Sequence, residues 1–142
     1  MRIFGLVTGV LLLVGGFLLG GAPSNMFDGP ALTIAVLCPL AFTLMAHGPD
    51  LWRAIGVGVL NRAVERDTGL YYAKILDTLR RTMLWTGFAA ALIGAINMSQ
   101  GMDSWAHFGP AFAVLLLSPF YGIVMAELLV APVISRLEAQ SH

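Results

Sequence analysis

The sequence predicts an all-α membrane protein with four transmembrane helices and a short helical segment between helices two and three. Three observations lead there. The 142 residues are 58% hydrophobic and only 11% charged, whereas soluble domains carry about a quarter charged residues. Four long apolar runs occupy residues 3–21, 30–48, 82–99 and 108–132, and crossing ~30 Å of hydrocarbon takes about 20 helical residues. The runs do not alternate in polarity, as membrane strands would. The eight basic residues also cluster, within or just outside a few short stretches.

The first run follows Arg2 and ends at Gly20-Gly21-Ala22. It exceeds the about 7–15 apolar residues of a cleaved leader, and Pro23 follows the cleavage-like site, so it reads as a retained span. The second run holds Cys38 and Pro39, and Pro39 removes a backbone hydrogen bond and bends its helix. A lone cysteine excludes a disulfide scaffold; Cys38 reads as a small apolar residue.

The segment 49–81 contains Arg53, Arg62, Arg66, Lys74, Arg80 and Arg81, while Arg2 and Arg136 flank the outer spans. The two remaining connections carry no Lys or Arg, only Asp28 and Asp103. The positive-inside rule then places both termini and the central segment in the cytoplasm. Pro49-Asp50 suits a helix start, and residues 51–55 read as a helix on the membrane surface. Thr68-Gly69 marks a break. A second piece, 70–81, runs into span three, with Asp77 and Arg81 at i,i+4 spacing. Trp52, Trp85 and Trp105 fall near interfaces, where indoles are favoured. The whole chain reads as one domain.

Small residues recur at close spacing: Gly5 with Gly9 and Gly16 with Gly20 in span one, Gly87, Ala91 and Gly94 in span three, Gly122 and Ala126 in span four. Such stripes let helix backbones approach in lipid, either within one subunit or between subunits. The hydroxyls of Thr8, Thr33, Thr43, Thr86 and Ser118 suit bonds to the carbonyl one turn back. Pro119, like Pro39, interrupts the backbone ladder. Glu127 is the one formal charge inside a span, near the Pro132 end, and is therefore a functional candidate. Its simpler role is to pair with Arg53, Arg81 or His47. On an α-helix Ser118 and Glu127 lie about 180° apart, with Leu116, Phe120 and Ile123 beside Glu127. His47, His107 and His142 have no metal-site spacing, and no nucleophile or phosphate motif is present, so neither an enzyme nor a cofactor or metal is expected. Zero net charge leaves no footprint for nucleic acid.

The stretch Gly109-Pro110-Ala111-Phe112-Ala113-Val114-Leu115-Leu116-Leu117-Ser118-Pro119-Phe120-Tyr121-Gly122, followed by Ala131-Pro132-Val133-Ile134 and Leu137, resembles the last helix of the MotA/TolQ/ExbB proton-channel family. Residues 87–98 look like its third helix, and Gly15-Gly16, Gly20-Gly21 and Pro30-Ala31-Leu32 are similar to its first two. The resemblance implies an inner-membrane subunit of a bacterial ion-conducting complex, a homo-oligomeric ring of five around a single-span partner whose intramembrane aspartate carries a proton or sodium ion. On that reading Ser118, Glu127 and Thr86 are candidates for the ion path. Two threonines of the family pattern are replaced, by Ala91 and Pro119, and its large cytoplasmic domain is reduced to 49–81. The alternative is a non-conducting subunit that packs in or around a larger membrane complex through Gly87, Gly94, Gly122 and Ala126.

Overall fold

A computed structural model describes residues 29–60, 64–100 and 105–140. All described elements are helical: α1 (Gly29–His47), α2 (Asp50–Leu60), α3 (Arg66–Gln100), α4 (Trp105–Val124), a π-helical turn (Met125–Val130) and α5 (Ala131–Gln140). The first expected span and its glycine pairs lie outside the described residues, as do the side chains of Trp105 and His107.

α1 matches the second apolar run and continues without a break through Pro39. It stops at Gly48, whose φ of 59° is the left-handed conformation that glycine reaches without a Cβ penalty. The Gly48 amide donates to the Leu44 carbonyl at 2.7 Å. The chain then turns by 113° into α2, which buries Leu51, Ala54 and Gly58 and leaves Trp52 exposed. Arg53 pairs with Asp50 at 3.4 Å in the first turn.

α3 is the axis of the molecule and touches every other described element. Two expectations are corrected along it and its neighbour. Thr68-Gly69 does not break the chain, because α3 begins at Arg66 and runs unbroken to Gln100. Gly69 falls in the first turn, where its amide reaches the Glu65 carbonyl at 2.9 Å and its bare Cα packs near Val64 and Leu137. The helix does not stop at Pro132 either. It runs on through the π turn into α5, so Pro132 sits inside a continuous helix and leaves one backbone carbonyl without its helical donor.

The π turn has a readable cause. Ser118, Gly122, Ala126, Val130 and Ile134 are all buried and spaced by four residues. On an α-helix each such step drifts by about 40°, so the line would wind away from α3. A π turn takes up one extra residue, returning about 100°. It also spares the Leu128 carbonyl from the Pro132 ring, which clashes with the residue four back in an α-helix.

Among the described residues two helices are long and apolar enough to cross a membrane, Arg66–Gln100 and the combined Phe108–Ala139; α1 with α2 makes a third only if the bent pair counts as one span. The core divides by environment. At the charged end, Leu51, Ile75, Leu76, Leu79, Met83, Ile134 and Leu137 form a cluster of large side chains. Towards the apolar end the buried residues are mostly alanines, Ala31, Ala35, Ala90, Ala91 and Ala111, with Tyr121 packed among them. Where water is near, burying large apolar side chains is favourable; in lipid, close backbone packing takes over.

Candidate functional site

The candidate site lies where α3 crosses α4. Gly87 and Gly122 face each other there: a Cβ on either glycine would stand 3.3 Å from the other's Cα. A Cβ on Gly87 would also come within 3.0 Å of the Ser118 carbonyl, and one on Gly94 within 2.6 Å of the Leu115 nitrogen. Gly122 is pressed against the Met83 carbonyl, 2.7 Å from the place a Cβ would take. Two backbones this close permit Cα–H···O contacts between helices. The glycines of α3 and α4 therefore pack against each other within one chain, and Ala126 is fully enclosed in the same line.

Ser118 is fully buried at this crossing, and its hydroxyl has no hydrogen-bond partner among the described residues. Its neighbour Pro119 has no N–H to give to the Leu115 carbonyl. An unpaired hydroxyl and a backbone carbonyl without its helical donor thus sit one turn apart on α4. A buried hydroxyl without a partner costs about 1–3 kcal/mol, so this spot asks for a polar guest or a compensating role. Ala91, where the family pattern has threonine, is buried on the facing helix and offers no bond.

Thr86 is nearly buried, but its hydroxyl already donates to the Thr82 carbonyl at 2.8 Å, leaving its lone pairs to accept. It belongs to a row that sequence reading missed. Thr78, Thr82 and Thr86 repeat every four residues on α3, opposite Thr43 and His47 of α1. The Thr43 and Thr82 hydroxyls are 3.2 Å apart, and His47 Nε2 lies 3.4 Å from the Thr78 hydroxyl. Thr43 donates to the Pro39 carbonyl at 2.7 Å, Thr78 to Lys74 at 3.1 Å, and Thr82 to Thr78. The matching four-residue spacings in both runs were the available signal.

Glu127 points away from the crossing, sharing the outward side with the exposed Leu116 and Ile123. Its partner is Arg80, not Arg53, Arg81 or His47. Arg80 Nη2 reaches both carboxylate oxygens, at 2.7 and 2.9 Å, and Nε reaches Oε1 at 3.0 Å. Helical phase decides between the neighbours: Arg80 faces span four, whereas Arg81 is turned about 100° away and pairs with Asp77 at 2.9 Å. The Asp77–Arg81 pair is the one its i,i+4 spacing predicts.

No protein-family model matches the chain. Over 55 residues, 39% of its length, the chain is 40% identical to Motility protein A from Cereibacter sphaeroides. The matched stretch is 22% of that protein, so the chain spans about a fifth of the length of the relative it matches. The comparison and the two long apolar helices together support a membrane protein with a partial, MotA-like relationship.

Proposed function

We propose that the chain is a MotA-like subunit of an ion-conducting complex in the bacterial inner membrane, ringed around a single-span partner, with its charged end and both termini in the cytoplasm. The observation that carries this reading is the unpartnered Ser118 hydroxyl, enclosed beside Pro119 at the α3–α4 crossing. A carboxylate that cycles between charged and neutral forms in a dry pore needs such polar groups nearby. The chain's own intramembrane acid does not suit the cycling role, because Arg80 holds Glu127 in a bidentate pair. The mobile charge is therefore assigned to an aspartate of the partner, with Ser118 and the acceptor lone pairs of Thr86 steadying it. Either a proton or a sodium ion fits this chemistry.

The test is flux. The chain and its single-span companion, co-purified from native membranes, are reconstituted in vesicles with an entrapped pH- or sodium-sensitive dye. Ser118→Ala is expected to slow flux without loss of assembly. Equal flux in the variant removes Ser118 from the path.

A second reading has an observation of its own. Ser118 has no exposed surface, and the outer side of α4 is apolar, with Phe112, Leu116 and Ile123 exposed. These features suit a non-conducting subunit that packs in or around a larger complex. It predicts a silent Ser118→Ala and loss of assembly in Gly94→Leu or Gly122→Leu.

A further inference from the structure

Two prolines on different helices fall at one level of the bundle, on either side of α3. α1 and α3 run antiparallel in a register set by two contacts, Thr43 with Thr82 and His47 with Thr78. One further step of four residues brings Pro39 opposite Thr86. On the other side of α3, a Cβ on Gly87 would stand 3.3 Å from the Pro119 Cα. Thr86-Gly87 therefore lies between the two prolines.

Each helix is weakened there for its own reason. Pro39 has no N–H to give to the Ala35 carbonyl, and Pro119 none for Leu115; proline is a principal cause of helix kinks. On α3 the Thr86 hydroxyl donates back to the Thr82 carbonyl at 2.8 Å, a bond that slightly destabilises and bends helices, and Gly87 adds no side chain to stiffen the spot. The core changes at the same level. The cluster around Leu76 and Leu79 reaches Met83 and Leu84 on α3 and Leu40 on α1, and stops. A second cluster, with Ala31 and Ala35 on α1, ends on α4 at Phe120 and Tyr121, beside Pro119. The two share no member among the described residues, whereas a domain ordinarily has one contiguous core.

We propose that this level is a hinge, about which the charged half turns as one body against the apolar half, opening the α3–α4 crossing at Ser118. The turn leaves each cluster whole, and at the two prolines there is no helical hydrogen bond to break. Ser118 has no exposed surface, so a guest reaches its hydroxyl only when α4 parts from α3. The hinge stands on packing alone; only its use for ion passage rests on the conduction reading.

Paired spin labels on the full chain in lipid nanodiscs, in a Cys38→Ala background, test it by electron–electron resonance distances. Val59 with Phe112 and Leu70 with Phe112 join exposed positions across the level, and Val59 with Leu70 joins two within the charged half. The straddling pairs are expected to give broad or two-peaked distributions, and the third pair a single narrow peak. Restoring both N–H groups in Pro39→Ala/Pro119→Ala, with helical content checked by circular dichroism, is expected to collapse the straddling distributions to one peak. Ser118→Cys is expected to react with a small water-soluble thiol reagent, and more slowly once both prolines are replaced. Straddling distributions as narrow as the control, no change on replacing the prolines, or a Ser118→Cys thiol that does not react would each overturn the proposal. Broad distributions without flux would retire the conduction reading and leave the hinge standing.

Discussion

Glu127 places a carboxylate on a helix that is otherwise apolar, and Arg80 answers it with three hydrogen bonds. Both side chains are more than a third exposed, so salt and water weaken the pair where water reaches it. The bidentate geometry still exceeds an ordinary surface contact. Arg80→Ala leaves a charge without a partner at the edge of the apolar region. Thermal unfolding in detergent is expected to show Arg80→Ala less stable than Arg80→Ala/Glu127→Ala, with a coupling of about 1–2 kcal/mol in a double-mutant cycle. Additive losses would mean that the pair contributes nothing. Gly94 is the other decisive single residue. A methyl there meets the Leu115 backbone at 2.6 Å, and backbone cannot rotate aside as a side chain can. Gly94→Ala is expected to destabilise by about 1–3 kcal/mol and to separate α3 from α4, which cross-linking between engineered cysteines on the two helices measures.

At the scale of elements, the π turn and the bend at Gly48 set where everything else lies. The four-residue line from Ser118 to Ile134 and the position of Pro132 jointly account for the π turn, so the two are coupled. Deleting Leu129, which is 59% exposed, converts the turn to α geometry and brings the Pro132 ring against a carbonyl, at about 3 kcal/mol. The deletion is expected to be better tolerated in a Pro132→Ala background, read by thermal unfolding; equal tolerance in both backgrounds would disconnect the proline from the turn. α2 docks by a similar device, since a Cβ on Gly58 would collide with Val133. Much of this was legible. The end of span two at Gly48, the short helix after it and the Asp77–Arg81 pair follow from glycine chemistry and helical spacing. What misled was reading Thr68-Gly69 and Pro132 as stops. Gly69 falls in the first turn of α3, where it costs little, and the π turn makes room for the Pro132 ring; both placements are tertiary outcomes. The choice of Arg80 over Arg81 likewise needed the facing of α3 towards α4, which composition does not reveal.

For the whole molecule, most of the large buried aliphatic side chains gather at the charged end, and alanines with Tyr121 are buried at the other. Ser118 as a candidate came from its motif, but its enclosure against Gly87 needed the fold. The threonine row between α1 and α3 was missed because each hydroxyl, taken singly, has a local backbone acceptor. α3 and α4 present exposed apolar faces, with Phe88, Leu92, Phe112 and Leu116. The most direct measurement is the mass and composition of the complex released from native membranes by mild detergent. The account predicts several copies of this chain, five by resemblance, around a single-span companion with an aspartate in its membrane segment. A lone chain, or an assembly without such a companion, would contradict it.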